Sequence, residues 1–188
     1  MEAITTLQPI LLCLQNAFTA DADTNGGNWI QADDGARYHL VLKPITKLFT
    51  SAIPKNLIIA VDNDIDERKA SQYQKIVEGV NTIESGSVIG CITALASAAG
   101  NEQMWKPLNR SIVDVCGHER PEVRKVGLTT LLSLLKKIGE EYTPLLPECM
   151  PVLSELLEDD VEEISTLARE IQHEGEELLG ESFEDNFY

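Results

Sequence analysis

The chain has few aromatic and few basic residues. Aromatic side chains make up 5% of its 188 residues, and 15 Lys and Arg stand against 31 Asp and Glu, for a formal net charge of −16. Apolar bulk supplied by Leu, Ile, Val and Ala suits helix-on-helix packing better than a β-sandwich. A strongly acidic surface repels phosphate, so indiscriminate nucleic-acid binding is not expected. Partners with basic surfaces or exposed apolar helices are expected instead.

Cysteines are also few, and they are far apart. They lie in apolar stretches at Cys13, Cys91, Cys116 and Cys149. This spacing is unlike a dense disulfide framework, so it indicates a reducing compartment and buried thiols. No apolar run is long enough to cross a bilayer, and the segment before Ala22 has no Lys or Arg of the kind that begins a secretory signal. We expect no membrane partner.

The sequence lacks a complete catalytic or metal-binding constellation. Asp21-x-Asp23-x-Asn25-Gly26 matches the opening of an EF-hand calcium loop, but Ala32 stands where the closing Glu belongs. Cys116-Gly117-His118 brings a thiol near an imidazole without a triad or a four-ligand zinc set. No Gly-rich phosphate loop occurs. We therefore predict a non-enzymatic protein with no catalytic residue, metal, cofactor or small-molecule substrate.

What the sequence does contain is apolar residues at helical spacing. Ile4, Leu7, Leu11, Leu14 and Phe18 mark the first helical face. A second helix is predicted over 36–52, bent at Pro44, with an inner face made of Leu40, Ile45, Leu48 and Phe49. The stretch 88–99 is apolar nearly all round, which is typical of a helix buried between neighbours. The predicted organisation is an N-terminal helical hairpin over 1–53, a loop or insertion over 54–68, an irregular helical pair over 69–100, two repeats over 101–180 and a loose acidic tail over 181–188.

The second half of the chain repeats itself. Val123 and Ile164 hold equivalent places after an inter-helix turn, and Gly139 and Gly180 end two helices, each pair with an offset of 41 residues. This period lies in the range of HEAT and armadillo units, whose hairpins stack because a single hairpin cannot bury both apolar faces. The predicted fold class is therefore an all-α, HEAT/armadillo-like superhelix. Its structural repeat positions are Pro121, Val123, Gly139, Pro151, Asp159, Ile164 and Gly180.

The repeat resembles the HEAT pattern, which has a Pro in the first helix, an Asp in the turn, and Val-Arg at the start of the second helix. Pro121-Glu122-Val123-Arg124 fits the second-helix start, and Pro151, Asp159 and Ile164 fit the last unit. The chain departs from the pattern at three positions, Arg110 for Pro, His118 for the turn Asp and Ser165 for Arg. An intact ladder of Asp–Arg pairs is therefore not predicted.

A more specific resemblance covers about residues 89–182. Trp105-Lys106-Pro107-Leu108-Asn109, the stretch 145–156 and Leu179-Gly180-Glu181-Ser182 are similar to the C-terminal region of the large nucleolar HEAT-repeat subunit of the small-subunit processome, a small nucleolar RNA-associated family. The resemblance implies a nuclear, nucleolar scaffold for pre-rRNA processing and small-subunit biogenesis that also supports rRNA transcription. Implied partners are other processome proteins, with indirect or local RNA contact. The alternative is a HEAT adaptor of another pathway, such as a nuclear transport receptor or a phosphatase scaffold.

One concentration of basic residues stands out in the acidic chain. We call it the basic edge, and it consists of Arg120, Arg124, Lys125, Lys136 and Lys137. In a HEAT stack the first two lie near the inter-helix turns, where they would meet an RNA phosphate or an acidic partner. The competing interpretation is intramolecular, with Arg124 paired to neighbouring acids.

Overall fold

The computed structural model describes residues 2–51, 87–180 and 183, and within these ranges it contains helices and no strand. The elements are α1 (Glu2–Asn25), α2 (Asn28–Gln31), α3 (Ala36–Thr46), α4 (Leu48–Ser51), α5 (Val88–Ala99), α6 (Glu102–Cys116), α7 (Pro121–Ile138), a 3₁₀ segment (Gly139–Leu145), α8 (Leu146–Leu156) and α9 (Glu162–Leu179). The predicted all-α class is confirmed. The predicted insertion over 54–68 lies outside the described residues, as does the helical pattern that follows it up to 83. No described helix has the length and apolar character that crossing a membrane would need.

The long helices stack in two rows. One row consists of α1, α5, α7 and α9, each in contact with the next, and the other places α3 on α6 and α6 on α8. Each helix of the first row is followed by a glycine with positive φ, namely Gly26, Gly100, Gly139 and Gly180. Because glycine alone adopts this conformation without strain, it ends a helix where the chain must turn back. The last three glycines are 39 and 41 residues apart, so the periodic stacking reaches one unit further toward the N-terminus than the sequence repeat indicated.

Two of the repeat positions, Val123 and Ile164, lie in the core between the rows. Val123 and Ile164 are 0% and 1% exposed, as equivalent positions should be. Helix α5 is buried on nearly all sides, which confirms the prediction from its composition. Ser87 begins this helix, because its hydroxyl accepts a hydrogen bond from the Gly90 N–H at 2.8 Å and satisfies a donor that the first turn leaves unpaired.

Two predicted core positions are wrong. Leu40 is 76% exposed, while the buried face of this region is formed by Tyr38, Leu42 and Ile45, and then by Phe49 in α4. Residues three and four apart share a helix face, and Leu40 falls on the other side of the set that begins at Tyr38. Cys13 is exposed for the same reason, whereas the other three cysteines are buried.

The Asp-, Asn- and Gly-rich stretch before α3 includes helical residues. Helix α1 continues to Asn25, and the short helix α2 follows it. Asp21 is buried and accepts hydrogen bonds from the backbone N–H groups of Trp29 at 3.1 Å and Ile30 at 3.0 Å. The first position of the calcium-loop motif is therefore used to hold α2 against α1.

The expectation of a loose tail is wrong at Phe183. Its side chain is 1% exposed, and its backbone N–H donates to Glu176 Oε1 at 3.1 Å. The ring packs on Gly175, where a Cβ atom would lie 2.4 Å from the ring Cζ. Phe183 is thus one of the residues that line a groove between α8 and α9.

Candidate binding edge

The structure divides the basic edge into two groups on one helix. Arg120, Arg124 and Lys125 lie at the start of α7, and Lys136 and Lys137 lie in its last turn. Lys125 and Lys136 are eleven residues apart in the sequence, which corresponds to about 16 Å along a helix axis. The five side chains therefore do not form one compact positive patch.

Arg124 joins two consecutive inter-helix turns. Its Nη2 lies 2.8 Å from Asp159 Oδ2 and 2.9 Å from Asp159 Oδ1, and its Nη1 donates to the carbonyl oxygens of His118 at 3.1 Å and Glu119 at 3.0 Å. The side chains of Arg124 and Asp159 are only 16% and 7% exposed. Charge-assisted bonds of this kind are the strong ones, and here they fix one repeat against the next. The intramolecular interpretation of Arg124 is confirmed, and an Asp–Arg pair forms although the family pattern is incomplete.

The replacement of Asp by His at position 118 is explained by the turn geometry. Asp159 Oδ1 accepts a hydrogen bond from the Val161 N–H, two residues ahead, at 2.9 Å. His118 lies 41 residues earlier, and its Nδ1 accepts from the Arg120 N–H, also two residues ahead, at 3.1 Å. An unprotonated imidazole nitrogen is an acceptor, so it takes over this local role of the carboxylate. The His118 imidazole cannot, however, supply the negative charge that a carboxylate carries in this position.

The pKa of Asp159 reflects its position between these groups. Burial by itself would raise the pKa, but the hydrogen bonds from the Val161 N–H and from Arg124, together with the charge of Arg124, hold it below its ordinary value. A carboxylate that accepts such bonds is favoured in its charged form. Asp159 is therefore ionised in the folded chain at neutral pH.

Two further salt bridges, each between a lysine of α7 and a glutamate of α9, also connect these helices. Lys125 pairs with Glu163, and Lys136 Nζ lies 2.8 Å from Glu170 Oε1. The hydrogen bond to Glu170 raises the pKa of Lys136. All four side chains are 47–61% exposed, so each pair contributes little to stability. Each pair occupies a lysine ammonium group that could otherwise contact a phosphate.

The remaining members of the edge also have acidic or polar surroundings. Arg120 Nε lies 3.8 Å from Glu122 Oε2. Lys137 lines a groove between α1 and α5 that also includes Thr19 and Asp23. Around Arg124 the turn groove is lined by several acids: Glu119, Glu155, Glu158, Asp159 and Asp160. The local field at the turns is therefore negative, which disfavours a nucleic-acid phosphate.

A buried polar cluster, which the sequence reading missed, connects α6 to the next hairpin. Asn109 is fully buried, and its Oδ1 accepts from Tyr142 Oη at 3.0 Å and from Cys149 Sγ at 3.2 Å. Its Nδ2 donates to the Leu145 carbonyl and to Glu148 Oε2, each at 3.3 Å. The signal for this cluster in the sequence was Asn109, an amide side chain on the apolar face that Leu108 and Ile112 mark.

The thiols and acids do not form a reactive centre in the described part of the chain. Burial raises the pKa of Cys91 and of Cys149 to about 12, and it also raises the pKa of Cys116. Thiols with raised pKa are poor nucleophiles, because the thiolate is the reactive form. Over residues 2–51 and 87–180, no group of three or more His, Cys, Asp or Glu side chains is placed to hold a metal ion.

Comparison with known proteins gives relatives that are much longer than this chain. No protein-family profile matches the sequence. A protein of Arabidopsis thaliana described as uncharacterized is 30% identical over 173 residues, which cover 92% of this chain and 7% of the relative. HEAT repeat-containing protein 1 of Homo sapiens is 37% identical over 100 residues, and U3 small nucleolar RNA-associated protein 10 of Aspergillus oryzae is 34% identical over 115 residues. The chain is a homologue of these two HEAT-repeat and U3-associated proteins.

The resemblance read from the sequence is confirmed by these relatives. The HEAT repeat-containing homologue matches 53% of this chain and the U3-associated homologue 55%, and the matched part is 5% and 6% of their respective lengths. The two stacked rows of helices are expected of HEAT repeats, and the Arg124–Asp159 pair joins the Arg and the turn Asp of the HEAT pattern.

Proposed function

We propose that this chain is a non-catalytic scaffold of the small-subunit processome, located in the nucleolus and acting in pre-rRNA processing and small ribosomal subunit biogenesis. The observation that carries the proposal is its homology to a protein named for its association with U3 small nucleolar RNA. A stack of helical hairpins supports this role, because such stacks present extended surfaces to partners.

Two features of the described residues support a scaffold over an enzyme. The polar groups with the most partners, Asn109 and Arg124, use those partners to join one hairpin to the next. The buried cysteines have raised pKa values, which is the opposite of what an activated nucleophile requires.

We propose further that the partners met by this chain are mainly proteins, and that its contact with RNA is indirect. Arg124, Lys125 and Lys136 are each paired with an acid of the neighbouring repeat. A phosphate would have to displace those carboxylates in a chain whose net charge is −16. The acidic turns favour a partner that brings Lys or Arg side chains.

The processome role is tested by purifying the tagged, full-length natural protein from growing cells. Recovery of U3 small nucleolar RNA, pre-rRNA and nucleolar assembly proteins is expected. Recovery of transport receptors or phosphatase subunits without pre-rRNA would contradict the proposal and favour the adaptor of another pathway. An unrelated nucleolar protein carrying the same tag controls for general enrichment of rRNA.

The proposal of indirect RNA contact is tested with the purified chain and a double variant, Lys125→Ala with Lys136→Ala. Wild type and variant are expected to bind a structured pre-rRNA fragment equally weakly at physiological salt. Lys43→Ala, a change of one exposed lysine on α3, is the matched control. An affinity lower by about tenfold in the double variant alone, with a shallower salt dependence, would show that these lysines contact phosphate.

A further inference from the structure

Helix α3 and the residues beside it are basic, although they belong to an acidic chain. Residues 35–51 contain no Asp or Glu, whereas the chain as a whole has 31 acidic residues and a net charge of −16. The stretch contains three cations, Arg37, Lys43 and Lys47. The formal charge of this segment is therefore opposite in sign to that of the whole chain.

The three cations surround one exposed apolar side chain. Leu40 is 76% exposed and lies on the side of α3 opposite to its buried residues. At about 100° per residue, Arg37, Lys43 and Lys47 all fall within about 60° of Leu40 around the helix axis. The outward side of α3 therefore has an apolar centre with positive charges around it.

Trp29 of α2 enlarges this apolar centre. The Arg37 guanidinium lies 5.3 Å from the centroid of the Trp29 ring, and Trp29 is 51% exposed. Residues three apart are neighbours on a helix surface, so Arg37 links Trp29 to Leu40. Single exposed apolar residues are ordinary, whereas a Trp and a Leu linked in this way form a patch. We call this surface the α3 face, and it consists of Trp29, Arg37, Leu40, Lys43 and Lys47.

The charge of the α3 face is balanced only weakly by the described residues. Arg37 Nη2 lies 3.4 Å from Asp33 Oδ2, and these side chains are 38% and 70% exposed. Lys43 is exposed and forms no salt bridge with another described residue. The lysines of α7 differ, because Lys125 and Lys136 are each paired with a glutamate of α9. The α3 face therefore keeps positive charge that an external group can meet.

We propose that the α3 face docks an acidic amphipathic segment of another protein, whose carboxylates meet the cations and whose apolar side chains cover Leu40 and Trp29. The positive charge of the face selects a negative partner. Trp and Arg are among the residue types that contribute most to binding at protein interfaces. A nucleic acid fits less well, because its phosphates would leave the central Leu40 without an apolar contact. Such docking is compatible with a processome subunit and with an adaptor of another pathway.

Carbodiimide cross-linking tests the proposal, because this reagent joins an amine to a carboxylate that is in direct contact with it. The full-length natural protein is purified with its partners, cross-linked and analysed by mass spectrometry. Lys43 or Lys47 is expected to be linked to an Asp or Glu of another protein, in a stretch that also contains apolar residues. Lys136 is the internal control, since its Nζ lies 2.8 Å from Glu170 Oε1 and should be linked to it.

A substitution at the centre of the α3 face tests the apolar contact separately from the charge. Leu40→Gln keeps the charge and should lower the yield of the intermolecular links by about tenfold, since the partner loses an apolar contact. Because Leu40 is exposed, the variant should keep the wild-type Tm. Ile10→Gln makes the same kind of change at a 53% exposed residue of α1 and should leave the links unchanged.

Several results would overturn the proposal. Links from Lys43 and Lys47 only to residues 52–86, or only to an isotope-labelled second copy, would give the α3 face a different occupant. Ultraviolet cross-linking of RNA to Trp29 would show that the occupant is a nucleic acid. No link from either lysine, in a sample where Lys136 is linked to Glu170, would show that no acidic segment docks there. Links that persist fully in Leu40→Gln would show that the apolar centre has no part in binding.

Discussion

Removing the Asp159 carboxylate is expected to destabilise the chain far more than removing any exposed ion pair. In Asp159→Ala, the Val161 N–H loses an acceptor at the start of α9, a loss that typically costs about 1 kcal/mol. Arg124 also loses its charged partner while remaining only 16% exposed, and a charge-assisted bond contributes about 1.5–3 kcal/mol. The expected loss is about 3 kcal/mol in free energy of unfolding, or about 6–12 °C in Tm for a chain of this size.

The assay is urea unfolding followed by circular dichroism, with Asp159→Ala, Arg124→Ala and the double variant forming a cycle. The coupling energy between the two sites is expected to be at least about 1 kcal/mol, since they share a direct contact. Lys136→Ala is the matched control, because its pair with Glu170 is 48% exposed on each side and should contribute less than about 1 kcal/mol. A coupling energy near zero would refute the role assigned to the Arg124–Asp159 pair.

The same pair predicts a pH dependence with a definite sign. The pKa of Asp159 is lower in the folded chain than its ordinary value of about 3.9 in an unfolded chain. Its contribution to stability is therefore fully present above about pH 4 and is lost as the pH falls through the lowered folded value. The stability difference between wild type and Asp159→Asn should shrink below about pH 4. A difference that stays constant down to pH 2 would contradict this assignment.

Two further predictions concern contacts between helices. Gly127→Ala should destabilise the chain by about 1–3 kcal/mol, because the new Cβ would lie 3.0 Å from the backbone nitrogen of Cys116. This loss is expected although Ala favours helices, and an unchanged or raised Tm in thermal unfolding would contradict it. Asn109→Leu should lower the free energy of unfolding in urea by about 2–3 kcal/mol, since Tyr142 Oη and Cys149 Sγ would lose the buried oxygen to which they donate. A decrease below about 0.5 kcal/mol would show that water or another group replaces the amide.

The helical stack and its period follow from the order of apolar residues along the chain. A repeat of 41 residues is visible in Val123 and Ile164 because apolar side chains must return to the same face in each unit. The start of α7 at Pro121 and the end of α9 before Gly180 follow from local backbone chemistry, which acts over one or two turns. Features that depend on neighbouring residues in the chain were therefore predictable.

Which helix faces are covered and which charges pair depends on how the helices pack together. Apolar spacing placed Leu40 on the inner face of the second predicted helix, whereas packing buries Tyr38 and Leu42 and leaves Leu40 exposed. The basic residues of α7 pair with acidic residues that lie 34–38 positions later in the sequence. Which acid meets which base depends on the register between α7 and α9. The physical reason is that helix periodicity fixes directions around one axis, whereas partners are set by how separate axes lie against one another.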